Sequence, residues 1–206
     1  MKNATTGLLA SLTLLGPAAA CAELTANLGW VSDYYFRGIA QHPSSASAGI
    51  DFEHAGLYLG SWAADVGDGL EVDVYGGWSG EISDFTVGAG FTGYYYTGDF
   101  DDTYEEVNLN FGYGIASAEV AVGQYDNFAG PTQDYTYYAL TLEKNGLYGK
   151  YGGFSQDFDF DYLELGYGTE LEGFDLSFAL IVGDDPASSE TDEAIVVGIG
   201  KTFTLD

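Results

Sequence analysis

Between Glu23 and Phe203 the chain reads as about twelve segments of roughly ten residues, each alternating apolar with polar or small side chains. Leu24, Ala26, Leu28, Trp30 and Tyr34 fall on one face of the first segment, with Thr25, Asn27 and Asp33 on the other. Leu70, Val72, Val74 and Trp78 oppose Glu71, Asp73 and Ser79; Val107, Leu109, Phe111 and Tyr113 oppose Glu106, Asn108 and Asn110. Phe174, Leu176, Phe178, Leu180 and Val182 oppose Asp175 and Ser177. Successive side chains of a strand point to opposite faces, so this period of two predicts an all-β chain of half-apolar strands.

The connections alternate between long and short. Long ones are expected from Phe36 to about Ser45, Asp65 to Gly69, Phe100 to Thr103, Asp126 to Asp134, Ser155 to Asp159 and Asp184 to Glu193. Tight reversals are expected at Ala55-Gly56, Gly80 to Ile82, Gly114 to Ala116, Lys144-Asn145-Gly146 and Glu172-Gly173; Asn-Gly is a hairpin signature. Pro43, Pro131 and Pro186 all fall in expected long connections, where a missing N–H costs no ladder bond.

Two folds share such a pattern. A bilayer core offers no water to backbone N–H and C=O groups, so a sheet can cross it only when closed on itself, and each strand then needs about 9–11 tilted residues. Short turns then collect at one end and long loops at the other. The expected fold is a closed antiparallel up-and-down transmembrane β-barrel of about twelve strands, both termini lying at the short-turn end. The alternative is a soluble secreted β-sandwich or lipocalin-like binder, with the apolar stripe turned inward.

The first residues favour the barrel. Lys2, the apolar run Leu8 to Leu15 and the small residues Ala18 to Ala22 read as a secretory leader over residues 1–22, leaving residues 23–206 as the barrel domain. A lipoprotein leader ending at Cys21 is the rival, although the usual leucine three residues earlier is replaced by Ala18. Cys21 is the one cysteine, so no disulfide framework is expected. No later apolar run is long enough for a membrane helix.

Charge adds a functional hint. Removing Lys2 takes the formal net charge from −27 to about −28, leaving Arg37, Lys144, Lys150 and Lys201 against 32 acidic residues. Such a surface repels nucleic acid. Rings of Asp and Glu favour cations in pores, and the stripes opposite the apolar ones carry Asp33, Asp51, Glu53, Glu71, Asp73, Glu106, Glu119, Glu164 and Asp175 as pore-lining candidates. The other reading of the same acids is solubility or a salt-rich habitat. His54 and Lys201 are the charged or polar exceptions on the apolar stripes, near strand ends where a polar tip reaches the interface. Tyr34, Tyr35, Phe36, Tyr94, Tyr95, Tyr96, Tyr104, Tyr125, Tyr135, Tyr137 and Tyr138 cluster toward the long-connection ends and are expected to form an aromatic girdle at headgroup level, or simply to express β propensity.

Candidate chemistry is sparse. His42 and His54 have no second ligand at zinc spacing, and no nucleophile stands with a base, so neither a metal, a cofactor nor an enzyme is expected. Asp157-Phe158-Asp159-Phe160-Asp161 begins like a calcium loop, yet Tyr162 replaces the required Gly and Gly168 the bidentate Glu. Asp99, Asp101, Asp102, Asp184 and Asp185 read either as a solvated acidic mouth or as loose divalent-ion sites bridging lipopolysaccharide phosphates. Arg37, the only arginine, is expected to pair with Asp33 or an acid of a neighbouring strand at the lumen mouth, as a latch or as a pore constriction.

Around Arg37 the sequence also resembles a family. Ser32-Asp33-Tyr34, Phe36-Arg37-Gly38-Ile39 and Gln41, then Asp51-Phe52-Glu53-His54, Gly56-Leu57-Tyr58, Gly60 and Trp62 resemble the opening of the TorF porin family of Gram-negative outer membranes. The resemblance implies an outer-membrane porin, supplies no catalytic residues, and departs at the C-terminus, where Phe203 is followed by Thr204-Leu205-Asp206 instead of ending the chain. The functional expectation is a passive channel for small hydrophilic solutes, biased toward cations, with lipid and lipopolysaccharide as its surroundings. A non-conducting structural or surface-interaction barrel is the alternative.

Overall fold

The computed structural model describes residues 22–184 and 191–205. The expected leader, apart from Ala22, and most of the loop around Pro186 lie outside the described residues.

Twelve strands follow in chain order: β1 (Glu23–Phe36), β2 (Ile39–His54), β3 (Leu57–Asp65), β4 (Leu70–Ile82), β5 (Phe85–Tyr96), β6 (Tyr104–Tyr113), β7 (Ala116–Tyr125), β8 (Gln133–Lys144), β9 (Leu147–Gln156), β10 (Phe160–Leu171), β11 (Phe174–Asp184) and β12 (Thr191–Leu205). Each pairs antiparallel with its sequence neighbour, and β1 pairs with β12 from Leu24↔Leu205 to Val31↔Gly198, closing the barrel.

The turns follow their residues. Ala55-Gly56, Asn145-Gly146 and Glu172-Gly173 have positive φ at both positions, the pattern whose twist matches that of paired strands. Gly114-Ile115 joins β6 to β7, whereas the reversal expected at Gly80 to Ile82 occurs at Ser83-Asp84 because the β4–β5 ladder runs on to Ile82↔Phe85. At the other end, residues 66–69, 97–103, 126–132 and 157–159 form loops, with Pro131 in the third.

One expected loop is absent. Instead of a long connection from Phe36 to Ser45, β1 and β2 continue as a hairpin to Phe36↔Ile39 and reverse over Arg37-Gly38. Pro43 therefore stands in a strand, opposite Asp33. It is tolerated because this arm of β2 lies beyond the β2–β3 ladder, whose upper end is Ser47↔Ala64, and so is an edge.

The two faces are the inverse of a soluble protein. Leu109 and Phe111 on β6 are 43% and 50% exposed, while their neighbours Glu106, Asn108 and Asn110 are buried. The same holds for Leu70, Val74 and Trp78 against Glu71, Asp73 and Ser79. Exposed Leu, Ile, Phe and Val side chains encircle the wall, an apolar surface far beyond the few hundred Å² that a soluble monomer shows. A single closed sheet with an apolar outside and a carboxylate-bearing inside overturns the soluble sandwich or lipocalin-like alternative. This is how a membrane-spanning barrel is built. Lys201 fits the arrangement: on the outward stripe near the short-turn end, its ammonium lies 4.6 Å from the Phe174 ring centre and 5.6 Å from that of Phe203.

Candidate functional site

The site begins where the first hairpin leaves the wall. Above Val31 β1 loses β12, and above Ser47 β2 loses β3, so Ser32–Phe36 and Ile39–Ala46 pair only with each other. Ser44 adopts φ +59 at that point, and a register shift follows between Tyr34 and Tyr35. These irregularities tilt the hairpin over and into the lumen. Tyr34, expected on the outward stripe, is consequently turned inward and 2% exposed, packed with Val31, Ala64, Val66, Ala179, Ile181 and Val196.

The hairpin tip carries Arg37 across the barrel. Its Nη1 and Nη2 donate to Glu106 Oε2 and Oε1 at 2.7 and 2.8 Å, and Nη2 also donates to Glu119 Oε1 at 3.1 Å. The expected partner, Asp33 or a neighbouring strand's acid, is thus corrected to carboxylates on β6 and β7, because the inward tilt carries the guanidinium away from its own arm. Glu106, whose side chain is 0% exposed, accepts further hydrogen bonds from Tyr94 at 3.0 Å, Tyr135 at 2.9 Å and Asn108 at 2.5 Å. The Arg37 guanidinium carbon lies 4.0 Å from the ring centre of Tyr137, whose hydroxyl shares a 2.8 Å hydrogen bond with Tyr162. A Cβ on Gly38 would meet the Tyr162 ring at 2.5 Å, so glycine lets the turn seat against it.

Around this centre the inward face continues as carboxylate–tyrosine pairs. Glu71 accepts from Tyr34 at 2.5 Å and from Tyr96 at 2.9 Å. Glu164 accepts from Tyr148 at 2.5 Å, with Lys150 Nζ 3.7 Å away. Lower in the barrel Asp51 accepts from Tyr75 at 2.5 Å and Asn27 at 3.2 Å. Asp73 is 5% exposed, and its Oδ1 has no hydrogen-bond partner among the described residues.

Of the acids read as lumen-facing, Glu106 and Glu119 meet Arg37 directly, and Glu71, Asp73 and Glu164 are buried on the same inward stripe. Asp51, Glu53 and Asp175 are half-buried toward the short-turn end, and Asp33 lies on the hairpin arm. The tyrosines are redistributed relative to the expected girdle. Tyr94, Tyr135 and Tyr137 are buried inside the barrel, whereas Tyr95 is exposed on the wall. Strand parity carried that information: Tyr135 and Tyr137 share phase with Ala139 and Thr141, while Tyr138 shares it with Leu140 and Leu142. The same parity puts Tyr162 in phase with Glu164, and Lys150 opposite in phase to Leu147 and Tyr151, although neither was singled out in the sequence.

Access changes along the lumen. On β8 the inward residues pass from buried Tyr135 and Tyr137, through half-buried Ala139 and Thr141, to exposed Glu143. On β10 they pass from buried Phe160, Tyr162 and Glu164 to half-buried Gly168 and exposed Glu170. On these two strands the inward face is thus buried at the level of Arg37 and exposed at the short-turn end, whereas on β4 and β6 Ser79 and Asn110 remain buried close to that end. Above that level Tyr104 stacks on Tyr125 at 4.3 Å, and Phe158 packs near Tyr125, Tyr135 and Phe154. Among the loop acids, Asp101 accepts the Tyr104 and Tyr125 hydroxyls and Asp102 the Phe128 N–H. Among the described residues no group of three acidic, His or Cys side chains is placed to hold a metal ion.

The sequence of residues 16–202 matches the profile of a bacterial family described as of unknown function, Gcw_chp. The chain belongs to the Gcw_chp family. Among curated proteins none matches it. In structure this Gcw_chp barrel is similar to one determined in a study of the in-meso crystallization of membrane proteins, with a TM-score of 0.61 at 10% identity over 89% of this chain and 84% of that one. That likeness establishes the fold alone. OpdK of Pseudomonas aeruginosa (TM-score 0.41, 14% identity, 80% of this chain and 58% of that one) and a BenF-like porin of Pseudomonas fluorescens Pf-5 (0.42, 12%, 80% and 56%) are more remote neighbours. The Gcw_chp chain spans less than two thirds of either, and at these scores neither carries an argument about its activity.

Proposed function

We propose that the protein is an outer-membrane channel of porin type that passes small hydrophilic solutes by diffusion, favours cations, and is narrowed by its own first hairpin. The observation that carries this reading is a polar, carboxylate-bearing inward face crossed by a hairpin that shares no ladder with the wall above Val31 and Ser47.

Location follows the same reasoning. The apolar belt fits lipid, the closed up-and-down topology fits the outer membrane, and the leader read from Lys2 to Ala22 fits export. The resemblance of the Ser32–Trp62 region to the TorF porins supports the same assignment. Acidic loops with Asp99, Asp101 and Asp102 would face lipopolysaccharide at the outer rim.

Cation preference is supported by the inward Asp51, Glu53, Glu71, Asp73, Glu106, Glu119, Glu164 and Asp175, against Arg37 and Lys150. The burial of Arg37 and Glu106 favours one second reading, a non-conducting structural barrel. Planar-bilayer recording of the purified protein under a salt gradient separates the two. Single-channel steps with a cation-selective reversal potential support the channel; absence of steps supports the structural barrel, and anion selectivity would sink the charge argument.

A further inference from the structure

The pocket that holds Arg37 is built like a receptor for an organic cation. Its floor is Glu106, whose two oxygens face the guanidinium fork at 2.7 and 2.8 Å; Glu119 closes one side at 3.1 Å, and the Tyr137 ring lies 4.0 Å from the guanidinium carbon. Planar bidentate donors on a carboxylate, with an aromatic face beside them, are how proteins recognise guanidinium and amine groups. The Tyr94 and Tyr135 hydroxyls hold Glu106 in place independently of Arg37. The receptor side thus belongs to the barrel wall on β6, β7 and β8, and its present occupant belongs to the hairpin.

Two observations mark this as a binding pocket and not a turn contact. The residue bearing the guanidinium has φ +49 in a turn whose two positions both have positive φ, a place where Asn, Asp or Gly is preferred; the side chain, not the turn, accounts for an arginine there. Carboxyl groups also outnumber the one guanidinium at this level. Asp73, inward and nine-tenths buried, has Glu71, Glu106 and Arg37 as its charged neighbours, and its Oδ1 has no hydrogen-bond partner among the described residues. An unpartnered carboxylate oxygen beside an occupied guanidinium pocket is an acceptor for a second donor.

We propose that the Glu106–Glu119–Tyr137 pocket, with Asp73 beside it, is the recognition site for guanidinium- or amine-bearing solutes, and that Arg37 occupies it as a tethered ligand until such a solute displaces the hairpin. This names the solute class for the channel proposed above and rests on that reading for its physiological meaning. It does not rest on conductance for its test.

The test uses the full-length protein in detergent with methylguanidinium as the probe. R37A empties the pocket, R37Q keeps the length of the side chain without its charge, and the heat-dependent gel mobility typical of folded barrels reports whether each variant folds. Calorimetric titration is expected to show saturable methylguanidinium binding to R37A and R37Q, at least about tenfold tighter than to wild type, where Arg37 fills the site. Adding E106Q to either variant should weaken binding by at least about tenfold, because a bidentate charged acceptor is lost. No saturable binding to folded R37A and R37Q, or binding indifferent to E106Q, overturns the proposal. Binding without single-channel current would instead keep the receptor and refute the channel.

Discussion

Replacing Arg37 by alanine should open the barrel without unfolding it. The guanidinium makes three hydrogen bonds to two carboxylates and sits on one tyrosine ring, and its side chain is 8% exposed against 0% for Glu106. Removing one partner of a buried ion pair costs about 3–5 kcal/mol, because the other charge is left uncompensated. The hairpin beyond Val31 and Ser47 shares no ladder with the wall, so that cost falls on seating of the hairpin rather than on barrel closure. At about 1.4 kcal/mol per factor of ten, the ratio of inserted to withdrawn hairpin should fall by about 100- to 4,000-fold. Single-channel recording of R37A should then show a much higher open probability than wild type, while the denaturant midpoint of the barrel, followed by tyrosine fluorescence in lipid vesicles, changes little. An unchanged open probability, or a barrel that no longer folds, would refute the assignment of Arg37 as a latch on a separable element.

Two other perturbations address the wall and the charge. Leu109→Arg places a cation at the middle of β6 on the outward face, where Leu109 is 43% exposed, and should cost about 2–4 kcal/mol in urea-induced unfolding from lipid vesicles if that face meets hydrocarbon; a neutral outcome would move the membrane away from it. Neutralising Asp51, Glu53, Glu71 and Asp73 together as amides should shift the reversal potential toward non-selectivity, and an unshifted value would mean that ions do not pass them.

The wall was written legibly in the chain because closure imposes strict parity. Once Leu109 and Phe111 face lipid, Glu106, Asn108 and Asn110 must face inward, and Ala55-Gly56, Asn145-Gly146 and Glu172-Gly173 announce their turns. The inward phase of Glu71, Asp73 and Glu164 follows for the same reason. What the sequence hid was the first hairpin. Arg37-Gly38 lacks the residue that ordinarily marks such a turn, and Pro43 with Ser44-Ser45 reads as a loop, so a strand-borne insertion looked like a long connection. Arg37 was singled out by its charge, but its partners lie on strands far along the chain, and no local pattern joins residue 37 to 106 and 119. Local signals lose to tertiary contacts where a residue serves the site instead of the turn. The tyrosines were misplaced by composition: end-of-strand clusters suggested a girdle, whereas parity would have sent Tyr135 and Tyr137 inside.

On the proposed function, a separable hairpin constricts an otherwise passable membrane barrel. The most direct test is single-channel conductance of a variant in which Tyr34–His42 is replaced by a two-residue Asn-Gly turn, compared with wild type in the same bilayer. Larger unitary steps with cation-selective reversal are expected of the shortened variant; equal steps, or no current in either protein, would refute a constricting hairpin.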